Sequence, residues 1–109
     1  MFRAKAGSKD DGNPLAEIDP VIHEPARLNI MARLYVLESA DFLFLMRQTY
    51  LTFGNLSSHL SKLEAVGYVT VKKEFVGKKP HTMLRLTEKG RAAFRKYAHH
   101  MKQVFGDLI

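Results

Sequence analysis

The chain has 109 residues, 46% hydrophobic and 26% charged, which suits one compact domain with a single core and excludes a mostly disordered chain. It contains no cysteine, so disulfides, thiolate zinc sites and thiol redox chemistry are excluded. Its formal net charge is +6, a basic balance that points toward an anionic partner without specifying a fold.

Residues 1–14 hold Gly, Ser, Asp and Pro without periodic apolar positions and read as a flexible tail. A short element is expected over Leu15–Ile18, stopped by Asp19-Pro20. From Pro25 the pattern is helical: Leu28, Met31, Leu34 and Tyr35 share one side, widened by Ile30, Val36 and Leu37. Pro25 suits a first turn, where a missing N–H costs nothing, and Ser39-Ala40-Asp41 breaks the helix. A second helix runs from Phe42 to about Thr49 with Asp41 as its cap. A third follows Thr52, a good N-cap; Leu56, Leu60 and Leu63 form its apolar stripe and Gly67 ends it.

The period then changes to two. Val69 and Val71 alternate with Tyr68, Thr70 and Lys72 in a strand reaching Phe75, and Gly77-Lys78-Lys79-Pro80 signals a turn. His81–Leu86 alternates again, completing an antiparallel hairpin, and Thr87 caps a long helix toward the C-terminus. The fold class is therefore α+β and mostly helical. The expected architecture is a winged helix-turn-helix over residues 15–87 with a two-stranded hairpin wing, followed by a C-terminal helix over 88–109.

Charge follows the same division. Residues 1–51 carry 6 basic and 7 acidic side chains, whereas residues 52–97 carry 10 and 3, a net of +7. An excess gathered in one contiguous half is how a footprint for a polyanion reads; its other reading is a solvated basic face.

The runs DPVIHEPARLNIMARL (Asp19–Leu34), LTFGNLSSHLSKLEAVGYV (Leu51–Val69) and FVGKKPHTMLRLTEKGR (Phe75–Arg91) resemble the MarR/ArsR-like winged-helix transcriptional regulators. The likeness is nearest to small single-domain members that open with His-Glu-Pro-x-Arg-Leu, and it spans Asp19 to Tyr97. It implies a double-stranded DNA-binding regulator, a dimeric repressor, whose third helix enters the major groove while the hairpin tip touches the backbone or minor groove.

The residues fit that role. With the three leucines inward, the opposite face of the third helix carries Gly54, Ser58, Ser61 and Lys62, flanked by Asn55 and His59 on one side and Ser57 on the other. These residues, together with Thr52, are the candidate base- and phosphate-contacting set, because small uncharged donors approach a phosphate-lined groove without repulsion. Without arginine or glutamine on this face, phosphate contacts dominate affinity, with modest direct readout and some readout of shape. Lys72, Lys73, Lys78, Lys79 and His81 form the candidate wing contacts; lysine suits the phosphate backbone as a flexible point charge. Lysines on a strand edge also discourage aggregation.

Phe94, Ala98, Met101, Phe105 and Leu108 are spaced 4, 3, 4 and 3, a heptad seam broadened by Tyr97 and Val104. The expected role is pairing with a second subunit over a near-palindromic operator; the alternative is that the helix folds back on its own domain. His99-His100 with Asp107 lack ligand spacing, so no metal and no cofactor are expected. No catalytic motif or phosphate-binding glycine loop is visible, so an enzyme is not expected. No run is long and apolar enough to cross a membrane, and residues 1–13 lack the apolar stretch of a signal peptide, so a cytoplasmic protein is expected. Two other functions remain open: a winged-helix module that binds an acidic protein, and a sensor with a small-molecule pocket at the dimer interface.

Overall fold

A computed structural model describes residues 14–106. A 3-10 turn (Pro14–Glu17) leads to α1 (Pro25–Val36), β1 (Ala40–Asp41), α2 (Phe42–Thr49), α3 (Phe53–Ala65), β2 (Val69–Val76), β3 (Lys79–Leu86) and α4 (Glu88–Gly106). The tail expected over residues 1–14, apart from Pro14, lies outside the described residues, as do Asp107 and Leu108.

Each helix starts where a side chain satisfies its free N–H groups. Glu24 accepts from the Arg27 N–H at 2.8 Å, with Pro25 in the first turn of α1. Asp41 accepts from the Leu43 and Phe44 N–H groups, at 2.9 and 3.2 Å, to open α2, and Thr52 Oγ1 accepts from Asn55 N–H at 3.1 Å to open α3. α3 ends in a Schellman motif: Gly67 (φ +83°) donates to the Glu64 carbonyl and Tyr68 to that of Leu63, both at 2.9 Å.

The core gathers Ile30, Met31 and Leu34 of α1, Phe42 and Leu45 of α2, Leu56, Leu60 and Leu63 of α3, and Val69, Leu84 and Leu86 of the sheet. In α1 the buried set is shifted from expectation. Ile30 is fully buried while Leu28 and Tyr35 are half-buried and Val36 is exposed.

The sheet has three strands, not two. Its order is β1-β3-β2, antiparallel throughout, and β1 pairs Ala40 with Leu84 and Asp41 with Met83. Two residues are too few to show alternation, so the segment reads from sequence only as a helix break. The wing turn is also tighter than Gly77-Lys78-Lys79-Pro80 suggested. Val76 pairs with Lys79 across a two-residue loop, Gly77-Lys78, in which Gly77 supplies the positive φ (+67°) at the first position. Pro80 lies within β3 opposite Phe75. One residue beyond the closing pair, its missing N–H falls on the side away from β2, so no ladder bond is lost.

A second departure concerns α4. Tyr97, expected in an intersubunit seam, is 5% exposed in its own core, and its hydroxyl lies 2.8 Å from His23 Nδ1. Phe94 and Met101 are half-buried against the same core, the Phe94 ring tilted by 35° against Tyr35 with ring centroids 5.2 Å apart. Heptad spacing cannot distinguish a neighbouring subunit from the domain's own α1.

The base of α4 is bound to the end of α3. Thr87 donates its N–H to the Tyr68 carbonyl at 2.9 Å and accepts on Oγ1 from Gly90 N–H, also at 2.9 Å. Gly90 is buried so tightly that a Cβ would overlap the Tyr68 carbonyl oxygen. Arg91 then reaches the Tyr35 carbonyl at 3.1 Å, which explains why Thr, Gly and Arg occur together in this run. Replacing Gly90 with Ala is expected to cost about 1–3 kcal/mol through overpacking against rigid backbone, read as a lower melting temperature.

Candidate nucleic-acid interface

The leucine stripe of α3 decides which residues it offers outward. Leu56, Leu60 and Leu63 are at most 3% exposed, so Gly54, Asn55, Ser57, Ser58, Ser61 and Lys62 lie exposed around the rest of the helix. Thr52 is exposed at its start, with its hydroxyl oxygen engaged in the cap. A Cβ added at Gly54 would meet nothing within 4 Å. The fold itself therefore does not need glycine there, although glycine weakens a helix by up to about 1 kcal/mol relative to alanine. Backbone left bare toward solvent suits close approach by another molecule.

His59 departs from the expected set. Its Nδ1 lies 3.2 Å from the Arg27 guanidinium and 3.8 Å from Glu24, and only 21% of the side chain is accessible. A guanidinium only donates, so Nδ1 accepts from Arg27 as a neutral ring nitrogen, and the longer approach to Glu24 is secondary. Arg27 also donates from Nε to the Val21 carbonyl at 2.7 Å. His59 thus fastens α3 to the start of α1, with only its other ring nitrogen left for an outside contact.

The hairpin stands beside α3. Strand alternation puts Val69, Val71, Lys73 and Phe75 on one face, opposite Leu86, Leu84, Thr82 and Pro80 respectively. Val71 and Thr82 line a groove of about 230 Å³ with Ser57, Ser61 and Glu64 of α3, so Lys73 lies on the face that looks toward α3. Lys72 and Lys79 occupy the other face and Lys78 the turn; all four lysines are exposed. Arg85, on the Lys72 face, is taken up by Glu74 through two bonds of 2.8 and 3.3 Å. The guanidinium holds the Glu74 carboxyl below its ordinary range. That pair leaves the four lysines as the wing's uncompensated charge.

His81 is the second departure. Its Nδ1 lies 2.7 Å from Asp41 Oδ1, and because a carboxylate only accepts, the ring donates. Asp41 Oδ2 meanwhile caps α2, so one carboxylate joins the wing to the helix preceding the turn. His81 anchors the hairpin rather than offering a free charge at its tip.

Two exposed aromatics at the junction of α2 and α3 were absent from the expected set. Tyr50, in the α2–α3 turn, is 93% exposed with left-handed backbone (φ 60°), and Phe53, the first residue of α3, is 64% exposed. Phe53 stands three residues before Leu56, so apolar spacing assigns it to the core, and only its position above the turn exposes it. Among the described residues, no three His, Asp or Glu side chains gather to hold a metal ion, and no helix is long and apolar enough to cross a membrane.

Residues 26–105 match the model of the winged helix DNA-binding domain family. An uncharacterized protein of Methanocaldococcus jannaschii is 38% identical over 84 residues, 77% of this chain and 91% of that protein. The structure of the transcriptional regulator homologue protein from Pyrococcus horikoshii OT3 is similar at a TM-score of 0.82 and 31% identity, covering 87% of this chain and 96% of that one. The transcriptional repressor CouR, solved bound to a 23-mer DNA duplex, shares the fold at a TM-score of 0.67 and 21% identity, over 82% of this chain and 62% of its own. The same fold occurs in MarR-family regulators, in line with the resemblance read from sequence.

The Asp41–His81 link carries a pH dependence whose sign is set by Asp41. The hydrogen bond from His81, followed by the cap bonds, holds this carboxyl below its ordinary value. Its charged form therefore stabilises the fold at pH values above that ordinary value, and the contribution fades as pH falls through the lowered one. Asp41→Asn, which keeps an acceptor for the cap, is expected to flatten the loss of stability below about pH 4. Asp41→Ala should in addition cost about 1 kcal/mol at neutral pH from the lost cap, measured by denaturant titration across pH.

Proposed function

Because this chain belongs to the winged helix DNA-binding domain family, we propose that it is a transcriptional regulator that binds double-stranded DNA as a homodimer and represses by occluding a promoter. The observation that carries the reading is the juxtaposition of α3's small, polar outer face with a hairpin bearing four unpaired, exposed lysines. In this reading α3 lies in the major groove, where Asn55 offers the amide suited to an adenine edge and Ser57, Ser58, Ser61 and Lys62 reach bases or phosphates. At the hairpin tip Lys78 and Lys79 meet the backbone beside it, with Lys73 on the face toward α3, and Lys72 adds field from the far face of the wing. The protein acts in the cytoplasm by occupancy and performs no chemistry on its target.

Dimerisation falls to the outer side of α4. Phe94, Tyr97 and Met101 serve the chain's own core, which leaves Ala98, the half-buried Val104 and the 51% exposed Phe105 as the pairing surface. A two-fold axis there presents two α3 helices to half-sites about 34 Å apart on a near-palindromic operator. A small-molecule effector has a candidate place in a cavity of about 620 Å³ between the 3-10 turn and α4. Tyr68 and Lys96 line it, and the buried Nδ1 of His100 has no hydrogen-bond partner among the described residues.

Two measurements test this reading. Replacing Lys78 and Lys79 with Ala is expected to weaken binding to all duplexes alike and to lower the slope of log K against log salt by about two, roughly 0.9 per phosphate contact. An unchanged slope in the folded double variant removes the wing from the DNA, and binding to acidic protein in place of DNA supports the protein-interaction alternative. Replacing Ala98 and Phe105 with Glu is expected to convert a dimer to a monomer in sedimentation velocity and to weaken operator binding as the second half-site is lost. An unaltered chain that sediments as a monomer contradicts the dimer.

A further inference from the structure

The outer face of α3 presents a problem of discrimination. Serine hydroxyls both donate and accept, so Ser57, Ser58 and Ser61 match any base edge and distinguish little. The helix start differs. Phe53 exposes 64% of its surface although it shares the spacing of the leucine stripe, whose members are at most 3% exposed.

Its ring is not loose. It leans on Phe42 with centroids 4.8 Å apart and planes tilted by 51°, a favourable aromatic arrangement that fixes one flank. Phe42 is buried, so the support is rigid, and the other flank of Phe53 faces solvent at the mouth of the groove between α3 and the hairpin. Beside it come Gly54, with no side chain to hold a neighbour away, and the exposed Asn55. An oriented apolar surface, bare backbone and an amide thus follow one another along the first turn of the helix that the proposed function places in the major groove.

The bases present one apolar feature in the major groove, the 5-methyl group of thymine. We propose that Phe53 is a specificity-determining residue that packs against that methyl group, selecting a thymine at one position of each half-site. The inference rests on the DNA-binding reading above and adds a base identity to it. Phe53 makes no hydrogen bond to the base; it selects by removing the methyl from water, and its support on Phe42 means that little ordering is needed on binding.

The test begins by selecting preferred duplexes from a randomised pool with the full chain. Each thymine of a selected duplex is then replaced singly by deoxyuridine, which deletes the methyl and keeps the pairing. Binding is followed by fluorescence anisotropy at fixed salt. One thymine per half-site is expected to show about a fourfold loss of affinity, the value of one buried methyl-sized group. That penalty should vanish in Phe53→Ala and persist in part in Phe53→Leu, which keeps an apolar cover over Phe42.

If every deoxyuridine duplex binds the unaltered protein as tightly as its thymine parent, the proposal is wrong, whatever the variants do. The scan of the unaltered protein therefore stands even if Phe53→Ala fails to fold. A penalty of equal size in a folded Phe53→Ala also overturns it, since another residue then reads the methyl. Absence of binding to any duplex at low salt is a different failure, one that removes the DNA-binding reading itself.

Discussion

Burial of Leu56, Leu60 and Leu63 is the constraint on which the rest of the molecule depends. Each is worth about 1.5–3 kcal/mol of transfer free energy, and together they approach the whole net stability of a small domain, about 5–15 kcal/mol. α3 therefore cannot rotate about its axis without losing burial energy comparable to the net stability of the domain. The orientation of Asn55, Ser58 and Lys62 toward solvent follows from that restriction, because residues at their spacing have no other direction in which to point.

The wing is held to the same frame by polar bonds at its base and at His81. At its base, the Schellman motif at Gly67 turns the chain from α3 directly into β2, and Thr87 and Gly90 lock the start of α4 onto that turn through the Tyr68 backbone. The Tyr68 hydroxyl donates to Asp19 at 2.5 Å, and burial together with that carboxylate raises the phenol to about 12, so it remains a donor at neutral pH. Further out, His81 ties β3 to Asp41 and hence to the first turn of α2. The hairpin and α3 thus keep a fixed relation up to Thr82, while Lys78 and Lys79 at the tip remain exposed and unpaired. A rigid base sets where the charges arrive. Their flexible stems let them follow a phosphate backbone whose local geometry varies with sequence.

How much of this was legible in the sequence depends on the range of the interaction that decides each feature. Helix starts were readable because a cap acts within three residues: Asp41 and Thr52 perform the roles their side chains suggest. The α3 stripe and the strand alternation were readable because their periods are local. β1 was not, since its two residues become a strand only by pairing with Met83 and Leu84, more than forty positions away. The intramolecular partners of His59 and His81 were hidden for the same reason. Arg27 and Asp41 are 32 and 40 positions distant, and from sequence alone His59 reads only as a flank residue of the third helix and His81 as a wing contact. Tyr97 belongs to the same class, joined to His23 across 74 positions.

Phe53 inverts that error, and the inversion bears on how such a surface can be specific at all. Periodicity places it inside, yet the turn before α3 leaves no element above it to provide cover. A polar helix face can always trade its protein contacts for water at small net cost, since a hydrogen bond formed in the complex replaces one to solvent. An apolar ring has no such exchange available: its exposed area stays unfavourable until something apolar covers it. On a helix whose other outward side chains are small hydroxyls, an amide, a lysine, a glutamate and an alanine, selectivity through shape and apolar contact therefore concentrates at the one large apolar ring left to water. The same ring, resting on buried Phe42, ties that selectivity to the hydrophobic core that also fixes the direction of α3.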